Sequence, residues 1–305
     1  MNKFGHSNIT RIVEIVVAIL IFAIAQTAQA QQFDDSLIER VRAASHMIPG
    51  DLPLEVRFQK FVSYSGPLSA WVEDASSDAY PGVVGVFQIR FSDGWIMVDG
   101  GADEGMISWE AEFSDEDYEL VGAALRGASL IIATHEHADH IAGLVSARWA
   151  TDVARRALLT TEQLETLVEE PDHPSIQISQ EHADQFLSVR YDELLPIAPG
   201  VVLIKAPGHS AGSQIVYTKL DSGTEILFVG DVVWVTDALE SGSQKPPSVS
   251  SKVGEDRDAL MSQMQWLQEV RQNGPYIVVA HDIRTLDMLI KKGVIKDGVY
   301  FDRSD

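Results

Sequence analysis

His135-Glu136-His137-Ala138-Asp139-His140 follows directly on the apolar stretch Leu130-Ile131-Ile132-Ala133-Thr134. Three histidines and an aspartate, four candidate metal ligands, thus fall within six positions at the end of a buried-strand pattern. Imidazole nitrogens and a carboxylate are the donors zinc prefers, at about 2.0–2.2 Å. The run therefore points first to zinc. In an extended loop His135, His137 and Asp139 share a parity while His140 points elsewhere, so one short loop is able to serve two metals. The run is not a zincin motif, because one residue rather than three separates its first two histidines.

Outward from this run, the N-terminal side is β-rich. Leu54 to Tyr64 and Val83 to Phe91 have strand patterns, and the turn Ser92-Asp93-Gly94 leads into Trp95 to Val98 and then Asp99-Gly100-Gly101. A helix is expected from Asp115 to Arg126, capped by Ser114, with Tyr118, Val121 and Leu125 on one face. C-terminal to the run, Ile141 to Ala150 predicts a helix, and Thr160 with Gln163 a capping box for another ending near Val168. Residues 170–198, with three prolines, a fourth at Pro199 and no clear period, are expected to form a loop or edge insertion. Val201 to Ala206 is a strand, and Ser213 to Lys219 with Glu225 to Val229 reads as a hairpin about Asp221-Ser222-Gly223. Residues 241–251 are a Ser/Pro-rich loop before a helix from about Asp256 to Arg271, whose Leu260, Met264 and Leu267 form a core stripe. Tyr276 to Ala280 is a last buried strand.

Four of these strands run into a potential ligand: His135, His209 after Pro207-Gly208, Asp231 after Gly230, and His281 after Ala280. Strands lying side by side in sheets bring such ends to one site. Five histidines and two aspartates are enough for two metals sharing a carboxylate. His209 or His281 alone would more often be structural. In this company they are candidate ligands, whereas His46, His173 and His182 lack such neighbours and His6 falls in the N-terminal segment.

The whole chain narrows the setting. Lys3 and Arg11, the apolar run Ile12 to Ala25 interrupted only by Glu14, and the small residues of Ala28-Gln29-Ala30 predict a signal peptide over residues 1–30, cleaved before Gln31. The apolar run is shorter than the roughly 20 residues that span a bilayer. The reading is a periplasmic or secreted protein, soluble after cleavage, with one domain over residues 31–305. With no cysteine, disulfides and thiolate ligands are excluded. The net charge of −22 becomes −23 without residues 1–30, a field that repels nucleic acid. A small-molecule substrate is the expected partner.

Taken in order, Asp99-Gly100-Gly101, Thr134 to His140, Pro207-Gly208-His209, Gly230-Asp231 and Ala280-His281 resemble the motifs of the metallo-β-lactamase superfamily, across Val83 to His281. The resemblance implies an α/β four-layer αβ/βα sandwich. It implies that His135, His137 and His209 bind one metal, that Asp139, His140 and His281 bind the second, and that Asp231 bridges them. Asp99 would stand behind the ligands and orient them, and Asp139 and Asp231 would take part in catalysis. The expected cofactor is two Zn2+, with Fe or Mn as alternatives. Such a centre holds two ions about 3.5–4 Å apart with a bridging hydroxide that attacks a carbonyl or phosphoryl centre.

Family likeness leaves the substrate open. Zinc β-lactamases carry Cys or Ser where this chain has Asp231, and acyl-homoserine lactonases usually carry a tyrosine where it has Trp234. Flavodiiron relatives have a glutamate where His137 stands. Gly-Asp-x-x-Trp followed by a Lys-Pro-Pro loop is similar to a branch of exported members. The reading is an exported dinuclear zinc hydrolase of a small ester, lactone or related acyl compound. Its alternatives are a mononuclear iron sulfur dioxygenase and a non-catalytic metal-binding protein. Trp234 is expected to bind substrate as an apolar wall, its alternative being a core position. The loop from Ser241 to Val253 is expected to be a partly ordered lid.

Overall fold

Alternating burial along the strands sorts the apolar residues into separate cores. A computed structural model describes residues 33–106 and 111–301; the signal-peptide expectation for residues 1–30 and its cleavage point lie outside the described residues. In chain order the elements begin with α1 (Leu37–Ala44), β1 (Glu55–Pro67), β2 (Ala79–Arg90), β3 (Trp95–Val98), β4 (Glu112–Phe113) and α2 (Asp115–Gly127). Next come β5 (Leu130–Ile132), α3 (Ala138–Val145), α4 (Ala150–Val153), β6 (Ala157–Thr160), α5 (Thr161–Glu169), α6 (Gln180–Ala183) and β7 (Leu187–Val189). The second half holds β8 (Leu194–Ala198), β9 (Val201–Lys205), β10 (Gln214–Lys219), β11 (Glu225–Phe228), α7 (Thr236–Ser241), α8 (Pro247–Val253), α9 (Arg257–Val270), β12 (Tyr276–Val278), α10 (Ile283–Lys291) and β13 (Lys296–Asp297).

One sheet has the order β13-β1-β2-β3-β5-β6-β7, with β4 on β1, and the other β12-β11-β10-β9-β8. On β2, Val83, Phe87 and Ile89 pack with Val201, Leu203, Val216, Ile226 and Phe228 between the sheets. Val84 and Val86, of opposite parity, pack outward with Val121, Leu125, Ile141 and Leu144 of α2 and α3. Val202, Ile204, Ile215 and Leu227 pack outward on the other side against Leu37 and Val41 of α1 and Leu260, Met264 and Leu267 of α9. Two sheets face each other with helices on both outer surfaces, the expected four-layer αβ/βα sandwich. A register shift in β1 between Lys60 and Val62 exchanges its faces, so Phe58 joins the inner core and Val62, of the same parity, the outer one.

Helix starts fall where capping chemistry places them. Ser114 accepts from Asp117 N at the start of α2, and the Thr160/Gln163 capping box opens α5. Other expectations need correction. The helix placed at Ile141 to Ala150 begins at Ala138 and ends at Val145, with α4 separate from it. Residues 170–198, expected as a loop or edge insertion, do lie at the edges, but they supply a strand to each sheet there, β7 and β8. Pro196 is tolerated in β8 because that strand is an edge and needs no ladder donor there. The 241–251 loop runs into α8, with Pro247 at its first turn, where a missing N–H costs nothing. Among the described residues no helix is long and apolar enough to cross a membrane.

Candidate metal centre

Each of the four ligand-bearing strand ends delivers its side chain to one cleft. His135 to His137 remain extended, His137 forming the N-cap of α3 (φ −74°, ψ 156°), and Asp139 and His140 lie in the first helical turn. The change of backbone overturns the parity expectation, which grouped Asp139 with His135 and His137. The helix turns Asp139 and His140 together toward His281, whose Nε2 is 3.4 Å from Asp139 Oδ2 and 3.1 Å from His140 Nε2. His135, His137 and His209 form a second group, with His137 Nδ1 2.8 Å from His209 Nε2.

Asp231 stands between the groups. Its Oδ1 is 3.3 Å from His140 Nε2 and 3.2 Å from His281 Nε2, while Oδ2 is 3.4 Å from His209 Nε2 and 3.9 Å from His135 Nε2. Asp231 Oδ1 and His135 Nε2 are buried and make no hydrogen bond. Orphaned polar atoms at such depth are costly unless a further partner serves them. A donor set of imidazole nitrogen and carboxylate oxygen, without sulfur, fits zinc and also iron or manganese.

The far sides of the imidazoles are held as well. His140 Nδ1 lies 2.9 Å from Asp99 Oδ2, His209 Nδ1 2.7 Å from Glu255 Oε1, and His281 Nδ1 2.9 Å from the Val83 carbonyl oxygen. An acceptor at Nδ1 keeps the proton there and leaves the Nε2 lone pair facing the cleft. Asp99 thus stands behind the cluster. It adopts φ 68°, uncommon for a non-glycine residue, and accepts from Thr134 N at 2.6 Å and from the Thr134 hydroxyl at 3.0 Å. Glu136, buried between two candidate ligands, accepts from Ser210 Oγ at 2.8 Å and Gly212 N at 3.1 Å, tying the 135–140 run to the loop after His209.

Burial disfavours charge throughout the cluster, and neighbours decide where it survives. It pushes His135 well below its ordinary pKa and His209 down to about 4. At His140 burial is outweighed by Asp139, Asp231 and Asp99, and at His281 by Asp231 and Asp139, so both are raised. Burial also opposes the charge on Asp231, but His281, His140, His135 and His209 hold it well below the carboxylate range. For Glu255 burial again opposes charge, while His209 and Lys245 bring its pKa down to about 2.

The cluster opens into a cavity of about 810 Å³. Tyr64, Trp71 and Trp234 line it, as do Asp172 and residues Ser251 to Gly254 at the end of α8. Trp234 is half-buried rather than core, and its Nε1 donates to Asp231 Oδ2 at 2.5 Å. The residue expected as a wall therefore also touches the central carboxylate. Sequence reasoning missed Tyr64 and Trp71, carried from far upstream, and missed Lys245 and Glu255, which no local motif marks. Glu136 was inside the decisive run, but its flanking histidines drew the reading. His46 is exposed and His173 and His182 are partly exposed, none of them in the cluster.

A family model described as metallo-beta-lactamase superfamily matches residues 79–281. No curated protein matches the chain. Among solved structures, a quorum-quenching N-acyl homoserine lactone lactonase is 19% identical with a TM-score of 0.61, covering 76% of this chain and 94% of its own. A B. thuringiensis AiiA variant with N-decanoyl-L-homoserine bound at the active site is 18% identical with a TM-score of 0.62, over 78% and 96%. AidC, a dizinc quorum-quenching lactonase in complex with a product, is 13% identical with a TM-score of 0.56, over 76% and 91%. At these identities the structural likenesses show the shared fold.

Proposed function

The chain belongs to the metallo-beta-lactamase superfamily of metal-dependent hydrolases, and we propose that it is an exported dinuclear zinc hydrolase of a small ester, lactone or related acyl compound. In this reading His135, His137 and His209 hold one ion, Asp139, His140 and His281 the other, and Asp231 is shared. The observation that carries it is that the two oxygens of Asp231 face the two groups separately. When bound, the zinc pair polarises the scissile carbonyl and lowers the pKa of water.

The chain's own residues supply positioning and proton handling. Asp139 is 34% exposed in its side chain and lines the cavity, which supports a role in taking or giving a proton at the leaving oxygen. Tyr64, Trp71 and Trp234 offer aromatic surface to an acyl group. The homoserine lactones and products named for the structural neighbours favour a lactone within this class. The net charge of −22 argues against a polyanionic substrate. Residues 1–30 support delivery to the periplasm or medium.

The test is elemental analysis of protein purified without added metal, run beside a panel of lactones, aryl esters, thioesters, phosphodiesters and β-lactams. The expected result is about two zinc ions per chain, with lactone or aryl ester turnover that chelation abolishes and zinc restores. A single iron with persulfide oxidation would replace this reading with the dioxygenase. Two bound metals with no turnover across the panel would leave a metal-binding protein.

A further inference from the structure

Lys245 and Glu255 lie on either side of α8 and meet at its base. Lys245 Nζ donates to Glu255 Oε1 at 2.7 Å, and the two side chains are only 4% and 1% exposed. The same ammonium donates to the Asp231 carbonyl oxygen at 3.0 Å and lies 4.7 Å from the centre of the Trp234 ring. The same Glu255 oxygen accepts from His209 Nδ1 at 2.7 Å. Neither residue lines the cavity, whereas Ser251 to Gly254, between them in sequence, do.

We infer that Lys245 and Glu255 form a clasp that closes the α8 segment onto His209 and the Asp231 backbone, setting both the orientation of that histidine and the position of the cavity wall. Both are positioning residues. A buried ion pair loses much of its Coulomb gain to desolvation, so its worth lies in the geometry it enforces. The enforced geometry is specific. Glu255 holds the His209 proton on Nδ1, and Lys245 neutralises that carboxylate while fastening the backbone that carries Asp231 and Trp234. Asp256 N donates to Gly208 O at 2.8 Å and Arg257 Nη1 to Ser250 Oγ at 3.1 Å, closing the same base from both sides. The segment expected to be a partly ordered lid is thereby a fixed wall. The clasp touches the His209 side of the cluster directly, through the Glu255 bond to Nδ1, and reaches the side of Asp139, His140 and His281 only through the backbone of the shared Asp231.

The inference rests on the reading that His209 binds a metal, and its test separates the two. Cobalt(II) titration of the full-length apoprotein, followed by visible absorption, is compared for wild type, Glu255→Gln and Lys245→Met. Limited proteolysis across residues 246–254 is run in parallel without metal. Both variants are expected to weaken one cobalt equivalent by about 10- to 100-fold, weaken the other far less, and speed cleavage of the segment. Lys245→Arg should restore both properties in part. If a single variant fails to fold, Lys245→Met/Glu255→Gln removes both charges yet keeps an acceptor for His209, and the same weakened equivalent is expected. Wild-type affinity at both equivalents, or uniform weakening of both, overturns the clasp, as does unchanged protease resistance. Absence of cobalt binding by the wild type would instead overturn the metal reading, and the proteolysis alone would then decide the clasp.

Discussion

Gly143→Ala tests the seam between helix α3 and the Asp99-Gly100-Gly101 turn. A Cβ at Gly143 would sit 2.1 Å from the Gly100 carbonyl oxygen and 2.9 Å from its carbon, both backbone atoms that cannot rotate away. Close carbon–oxygen contacts settle at about 3.3 Å, so the turn and the helix must separate by roughly 1 Å. Three backbone hydrogen bonds cross this seam: Gly100 N and Gly101 N to His140 O at 2.6 and 3.1 Å, and Gly143 N to Gly101 O at 3.1 Å. Overpacking costs about 1–3 kcal/mol and each weakened bond about 0.5–1.5, giving a loss of about 3–7 kcal/mol. The same displacement draws Asp99 away from His140 Nδ1, now 2.9 Å distant. Metal should therefore be lost first from the group containing His140. Urea unfolding followed by tryptophan fluorescence, with metal content measured on the folded protein, reads both effects. Gly105→Ala is the control, since among the described residues nothing lies within 4 Å of a Cβ there, and it should stay within about 0.5 kcal/mol. A Gly143→Ala protein with wild-type midpoint and full metal content would refute the reasoning.

Asp231→Asn should lower turnover by about 100-fold or more with far-UV circular dichroism unchanged, because an amide cannot offset the repulsion of two cations; near wild-type turnover with two metals bound would remove Asp231 from its bridging role. Trp234→Tyr should shift the ratio of kcat/KM between long and short acyl substrates by about tenfold, the scale of small changes in apolar contact, with metal content retained. A fixed ratio would return Trp234 to a purely structural role. Glu225 is pushed up by burial, but hydrogen bonds from Arg42 and Tyr217 outweigh this and hold it below its ordinary 4.5. A depressed carboxylate contributes stability above the unfolded value and loses it as pH falls through the folded one. Glu225→Gln should therefore cost about 1–2 kcal/mol at pH 7, with the deficit shrinking below pH 4.5 as the wild-type group protonates. A deficit independent of pH in chemical denaturation would disprove the ionic contribution.

Short-range chemistry made much of this protein legible in its sequence. The two-residue alternation on β2 and β9 separates the inner core from the outer ones, and Ser114 and Thr160 mark helix starts through hydrogen bonds spanning three residues. The 135–140 run identifies candidate ligands because four donors crowded into six positions at the end of a buried strand would repel or desolvate one another without a metal to share. Tertiary structure decided where parity along the run fails, since the backbone is helical from Ala138, where α3 docks on the Asp99 turn and sends Asp139 and His140 toward His281. It also made edge strands of residues with no period, and turned part of a Ser/Pro-rich stretch into a helix. Lys245 and Glu255 carry no local signal at all. Their burial becomes tolerable only when a histidine 46 residues from Glu255 in the chain is brought within 2.7 Å. Residue type and near spacing record interactions a few positions long, whereas the desolvation that makes a buried charge meaningful depends on everything packed around it.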